Sequence, residues 1–290
     1  LRRAQQRPDQ EWWIWSRERA SREALVQMDI ALNSRGEFPF ATQSIDNFDW
    51  ILSGKVQRTE RTGRFGGTRT VGQDVEVELK LTDPSGELYR PDQMGRESRQ
   101  ELVEQVARSR GILYMFDPIR EHAKGDAYDN TVNMLSDLVA EAAGDPGFDG
   151  RRLPHHVAVC VTKLDEPRVF KTAESLRLLV PDPHHPQGFP LVHGTDARTL
   201  LQSLCQVGRS GAGEVLPQLL ETYFRPERIT YYATSAVGFM INKRTRRFDA
   251  QDTENVYRTA SGESLVRGPV NPVNVVEPVL WLVEQLALGA

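Results

Sequence analysis

The chain has 290 residues, of which 39% are hydrophobic and 26% are charged, with a net charge of −4 and an isoelectric point near 5.9. This composition is typical of a folded protein with one large α/β domain or two small ones. The charge excludes a general attraction to nucleic acid or anionic membranes, and no apolar run approaches the roughly 20 residues of a membrane span. The two cysteines, Cys160 and Cys205, fall inside predicted elements, which indicates reduced thiols and a cytoplasmic location.

The first third of the chain contains one strong pattern, the alternation of apolar and polar residues at 75–82. Residues 12–15 are an aromatic strand or a packed loop, and residues 25–36 have helical spacing that ends at a glycine. A possible strand follows around residues 48–56, and the polar stretch 58–72 predicts a loop or hairpin connection. Over residues 75–82 apolar and polar side chains alternate, which predicts a half-buried strand.

Beyond residue 100, amphipathic helices alternate with apolar strands. The predicted helices lie at 102–107, 132–142, 171–179, 195–224 and from about 275, and the predicted strands at 111–116, 157–161 and 229–233. This alternation favours an α/β fold with a doubly wound, mostly parallel sheet, and we interpret residues 1–290 as a single domain.

The strand at 157–161 is the most informative of these elements. Its continuous apolar run is typical of a strand covered on both faces, and it ends in Thr162, Lys163, Leu164 and Asp165. Open α/β sheets place their ligands at such strand ends. A carboxylate there can accept hydrogen bonds from the N1–H and 2-amino group of guanine, while the lysine stem lies along the base. Adenine would leave the carboxylate unpaired, at a cost of roughly 1–3 kcal/mol.

Two other strands also end in polar residues, Asp83–Glu87 (DPSGE) and Thr234–Gly238 (TSAVG). Each is also a common turn or helix cap when taken alone. In this order, separated by helices, the three motifs resemble those of a GTPase of the translation-factor class.

The resemblance implies a role for each matching residue, with GTP or GDP and Mg²⁺ as cofactors. Asp83 would hold Mg²⁺ together with Thr42, the least specific match, and Gly86 would reach the γ-phosphate. Glu87 takes the place of a glutamine that orients the attacking water. Thr162, Lys163 and Asp165 would recognise the base, and Ser235 with Ala236 would form the loop whose N–H meets the base O6.

Further similarity points to the bacterial double-GTPase family. It rests on the continuation of DPSGE into Leu88-Tyr89, on the strand end Phe116-Asp117-Pro118 and on the closing run 272–281. It covers about residues 36–165 and 229–288, so that 166–228 and 240–272 look like helical and loop insertions. The resemblance implies a nucleotide-dependent switch in a bacterial signalling or conflict system, with an effector or a second GTPase-like domain as protein partner.

Two departures from the family pattern keep an alternative open. Threonine stands at 162, where asparagine would brace the phosphate loop, and no GxxxxGK[ST] motif occurs. Because the opening residues read as the end of a helix, we expect the first strand and the phosphate loop upstream of Leu1, and GTP hydrolysis in the complete protein. The alternative is an inactive pseudo-GTPase that serves as a protein-interaction scaffold. An ATP-using P-loop protein is disfavoured by Asp165.

Two remaining groups of side chains are predicted to lie in solvated loops. The histidines, among them His155, His156 and His193, lack metal-ligand spacing. The basic run from Lys243 to Arg247 follows the third strand end and also reads as a solvated loop, or else as a contact for an acidic partner or a phosphate.

Overall fold

The structure, a computed structural model, describes residues 2–4, 12–38, 46–62, 67–83, 96–143, 148, 150–182, 185, 187–207 and 215–288. Its strands are Arg2–Ala4 (β1), Trp12–Trp15 (β2), Asp46–Thr62 (β3), Gly67–Asp83 (β4), Gly111–Phe116 (β5), His156–Val161 (β6), Leu179–Pro181 (β7), Pro190–Val192 (β8), Ile229–Ala233 (β9), Val256–Arg258 (β10) and Ser264–Val266 (β11). Its α-helices are Arg19–Asp29 (α1), Arg96–Arg108 (α2), Pro118–Lys124 (α3), Ala127–Ala142 (α4), Pro167–Ser175 (α5), Gly194–Val207 (α6), Val215–Tyr223 (α7) and Glu277–Leu288 (α8). A π-helical turn, Ile30–Arg35, extends α1, and a 3₁₀ turn, Pro226–Arg228, precedes β9.

A three-stranded parallel sheet, in the order β5-β6-β9, forms the centre of the fold. Residues Val157 to Val161 of β6 are at most 1% exposed, and both α6 and α8 pack on this strand. The strand is therefore covered on both faces, as its apolar run predicts. The predicted class, a mixed α/β fold that contains a parallel sheet, is confirmed at this level.

The main hydrophobic core lies around the parallel sheet. It includes Leu138 of α4, Phe170 of α5, Leu200 of α6 and Leu220 of α7, all at most 2% exposed. Burying each such side chain contributes roughly 1.5–3 kcal/mol. Much of the segment 166–228 therefore belongs to the core that supports the sheet.

The strand predicted from alternation at 75–82 lies in a different, antiparallel sheet with the order β1-β2-β3-β4. It is part of β4, which pairs along its whole length with β3 in a hairpin of two 17-residue strands. Alternating polarity is typical of an antiparallel sheet with one covered face, which explains this arrangement. The described strands thus form separate parallel and antiparallel sheets, and the hairpin extends further into 58–72 than its polar sequence indicates.

Candidate functional site

Three loops meet at one edge of the parallel sheet, because the carboxyl ends of parallel neighbours lie together. They follow Phe116 of β5, Val161 of β6 and Ala233 of β9. Backbone hydrogen bonds join them: the Thr162 N–H donates to the Phe116 carbonyl at 3.0 Å, and the Leu164 N–H donates to the Thr234 carbonyl at 3.0 Å. The structure therefore brings two of the three predicted motifs, 162–165 and 234–238, together.

Asp165 and Ser235 are in direct contact at the centre of this edge. The Ser235 hydroxyl donates to Asp165 Oδ1 at 2.6 Å and accepts the Gly238 N–H at 2.8 Å. Asp165 is 5% exposed and Ser235 is fully buried. A serine and a glycine 70 or more residues along the chain thus hold the carboxylate in one orientation.

The electrostatics of Asp165 combine opposing effects. Burial raises the pKa of its carboxyl above the ordinary value, whereas hydrogen bonds from the Ser235 hydroxyl and from the backbone of Asp165 and Asn255 lower the pKa. The negative charge of the neighbouring Glu166 raises the pKa of Asp165 further. When ionised, the group is an acceptor that gains from any additional N–H donor, since donors replace the water it has lost.

Lys163 lies in the loop after β6, in a strained backbone conformation with φ of 61°. Its Nζ donates to Asp117 Oδ2 at 2.7 Å, in an ion pair whose side chains are about half exposed. The other oxygen of Asp117 accepts the N–H groups of Ile119 and Arg120 and caps α3. Asp117 thus fixes the direction of the lysine stem, and its position before a proline at the first turn of a helix is the signal for this role.

Thr162 and Ala236 complete the predicted residues at this edge. The Thr162 hydroxyl donates to the Phe116 carbonyl at 2.9 Å, so it braces the end of β5. Ala236 is exposed, and its N–H forms no hydrogen bond with the described part of the chain. The amide is therefore accessible to an acceptor on a ligand.

A fourth segment, which the sequence patterns did not indicate, also reaches Asp165. Asn255 is fully buried, and its side-chain amide donates to the carbonyl of Val237, in the loop that carries Ser235, at 3.1 Å. The next residue back, Glu254, has its pKa raised by burial and by the charges of Glu166 and Asp165. The segment 240–272, expected to be an irregular surface insertion, therefore forms part of the site and contains the hairpin β10–β11.

The remaining predicted residues are not brought into this site by the described structure. Thr42, Gly86 and Glu87 lie outside the described residues. Asp83 ends β4, and only its backbone is described. Among the residues that the structure describes, no group of three His, Cys, Asp or Glu side chains is arranged to hold a metal ion.

The prediction that the histidines are solvated is wrong for His155. It is 1% exposed, and its Nε2–H donates to the Val106 carbonyl at 3.1 Å. His155 directly precedes β6 and packs edge-on against Phe224, which accounts for its burial. His193 is exposed as predicted, and so are all five residues of the basic turn 243–247, which connects the bridged residues Ile241 and Phe248.

Comparison with protein-family models, with curated proteins and with solved structures gives no match for this chain. The family resemblance therefore remains a prediction that rests on the motifs. Both cysteines are free and buried, and burial raises the pKa of each thiol to about 12. None of the described helices is long and apolar enough to cross a membrane.

Proposed function

We propose that this chain is the guanine-nucleotide-binding part of a GTPase-type molecular switch. The observation that supports the proposal best is the buried Asp165 carboxylate, oriented by Ser235 at the joint end of two neighbouring parallel strands. A fixed acceptor at that edge suits a ligand that presents adjacent N–H donors. The N1–H and 2-amino group of guanine are such a pair.

The neighbouring groups suit the rest of a guanine ring. The accessible Ala236 N–H offers a donor for the base O6, and the aliphatic stem of Lys163, held by Asp117, offers an apolar surface for the ring. A base with a 6-amino group in place of O6 would meet Ala236 donor to donor. Both ends of the site therefore disfavour adenine.

The phosphate and hydrolysis half of the proposal rests on sequence motifs alone. Thr42 and Asp83 would hold Mg²⁺, which would neutralise the developing charge on the phosphates, while Gly86 and Glu87 would contact the γ-phosphate and the attacking water. On this proposal the full-length protein hydrolyses GTP in the cytoplasm and changes shape between nucleotide states. The protein partner that recognises the nucleotide state would be an effector or a second GTPase-like domain, as in the bacterial double-GTPase family.

Exchanging the base preference tests the proposal. Asp165→Asn in the full-length protein replaces an acceptor with an amide, so one guanine donor faces a donor. Xanthine carries a carbonyl in place of the 2-amino group and fits the amide. We expect GTP affinity to fall about ten- to a hundredfold, since one mispaired buried polar contact costs roughly 1–3 kcal/mol, and affinity for xanthosine triphosphate to rise. Titration calorimetry with both nucleotides measures the exchange.

Lys171→Ala, on an exposed helical face of α5, is the matched control and should leave both affinities unchanged. A variant that keeps the wild-type preference for GTP would show that Asp165 does not read the base. Circular dichroism of both variants verifies that they are folded.

A second candidate function, a nucleotide-free interaction module, is favoured by one specific observation. The Asp165 carboxyl already accepts the Ser235 hydroxyl at 2.6 Å, which links the loops after β6 and β9 without a base. In that case Asp165 would serve to join the two loops. Wild-type protein that binds no guanine nucleotide, yet loses stability on Asp165→Asn, would favour this function.

A further inference from the structure

One segment of the chain is folded over the Asp165 edge, and we call residues 252–268 the cover segment. Asn255, near its start, has no exposed surface. The Asn255 side-chain amide donates to the carbonyls of Val237 at 3.1 Å and Pro269 at 3.2 Å, and its side-chain oxygen accepts the Gly268 N–H at 2.9 Å. One buried side chain therefore fastens both ends of the cover segment to the loop that carries Ser235.

Further bonds close the cover segment on itself. Arg267 forms a two-point ion pair with Asp252 at 2.6 and 2.9 Å, and the same guanidinium donates to the Glu254 carbonyl at 2.7 Å. The Arg267 N–H donates to the Asn255 carbonyl at 2.9 Å. The residues around Asn255 thus have a defined geometry, although the sequence there has no periodic pattern.

The cover segment is connected to the Asp165 carboxylate through the loop that carries Ser235. Asn255 holds the Val237 carbonyl at 3.1 Å, the next residue, Gly238, donates its N–H to the Ser235 hydroxyl at 2.8 Å, and Ser235 donates to Asp165 at 2.6 Å. Two elements distant in sequence therefore determine which lone pairs of the carboxylate remain for a ligand.

We propose that the cover segment is a wall of the base-binding site and that Asn255 is a positioning residue, which aims the Asp165 carboxylate at the paired donors of guanine. This inference rests on the proposed function. It adds a residue that determines specificity without touching the base. The negative charges of Glu166 and Glu254 near the carboxylate support a base, rather than a phosphate, as the part of the nucleotide that binds here. These charges repel a phosphate and favour the N–H donors on the edge of a base.

The first experiment needs no nucleotide. Amide hydrogen exchange is compared between the wild type, Asn255→Ala and the control Asn271→Ala, whose side-chain amide also donates to the Pro269 carbonyl but at an exposed position. We expect exchange in peptide 234–239 to be about ten- to a hundredfold faster in Asn255→Ala and unchanged in the control. Unchanged exchange in both variants would overturn the fastening role.

The second experiment separates positioning from mere stability. Inosine diphosphate lacks the 2-amino group, so its affinity relative to GDP reports whether the carboxylate meets both donors. In the full-length protein we expect Asn255→Ala to weaken GDP binding about tenfold and to narrow the preference for GDP over inosine diphosphate, with Asn271→Ala unchanged. Equal weakening of both nucleotides would contradict the positioning role. Wild-type protein that binds neither nucleotide would overturn the proposed function itself, while the exchange experiment still decides whether Asn255 fastens the cover segment.

Discussion

At the scale of single residues, His155 is the buried titratable group whose behaviour is simplest to predict. Burial lowers the pKa of its imidazole, and the hydrogen bond to the Val106 carbonyl only partly opposes this shift. Its Nδ1 is buried and has no hydrogen-bond partner among the described residues. Protonation in the folded state would therefore bury a charge that the Val106 carbonyl compensates only in part.

The resulting prediction concerns stability in mild acid. Because the folded-state pKa lies below the ordinary value of about 6.5, the unfolded chain takes up the proton first as the pH falls. The contribution to stability is complete above pH 6.5 and decreases below it, by at most about 1.4 kcal/mol per pH unit for one group. His155→Gln keeps a donor for Val106 and does not titrate, so we expect a flatter dependence of the unfolding free energy on pH.

Urea unfolding between pH 5 and 7.5 measures this difference. His156 and His185 also have pKa values lowered by burial, so the variant should retain part of the slope. The exposed His193 provides the control substitution, His193→Gln. An identical slope in the wild type and His155→Gln would contradict the prediction.

The candidate site shows which residues a sequence can reveal. Asp165 and Ser235 directly follow apolar strands, so their place at one sheet edge was predictable from periodicity and the parallel arrangement. Asn255 lies in an irregular segment, and its contacts with Val237 and Pro269 come from tertiary folding. Local patterns contain no information on such contacts.

At the scale of elements, the hairpin β3–β4 depends on one close approach. The Trp12 ring, 1% exposed, lies directly on Gly54 of β3, and a Cβ on this glycine would be 2.3 Å from the ring. Trp12 packs there with Leu52 and Val56 in the smaller hydrophobic cluster. The sequence indicated β4, part of β3 and a loop or hairpin connection between them, but not the pairing register or the need for glycine, which depend on this ring.

We predict that Gly54→Ala destabilises the protein by about 1–3 kcal/mol, since overpacking forces the indole or the strand to move. Gly72→Ala on the partner strand is the control, because a Cβ there meets nothing within 4 Å. Chemical denaturation of both variants measures the difference. A Gly54→Ala protein as stable as Gly72→Ala would show that Trp12 can move without cost.

At the scale of the whole molecule, α8 connects the two sheets. It contacts β5 and β6 of the parallel sheet and β3 of the antiparallel sheet. Its Val283, fully buried, packs in the cluster with Trp12 and Leu52, while the neighbouring Leu282 lies against the β5 residue Gly111. Adjacent side chains of one helix therefore pack against different sheets, and we infer that the two sheets unfold together.

Val283→Ala tests this coupling. Removing two buried methyl groups should lower the free energy of unfolding by about 1.5–3 kcal/mol, from the lost burial and the cavity that remains. If α8 couples the sheets, hydrogen exchange by global unfolding accelerates by the same factor in peptides from β3 and from β6, although Val283 belongs to the smaller cluster with Trp12 and Leu52. Gln285→Ala on the same helix serves as the control, since Gln285 belongs to neither hydrophobic cluster. Acceleration confined to the β3 peptide would mean that the antiparallel sheet opens independently, and α8 would then remain attached to the parallel sheet when the hairpin separates.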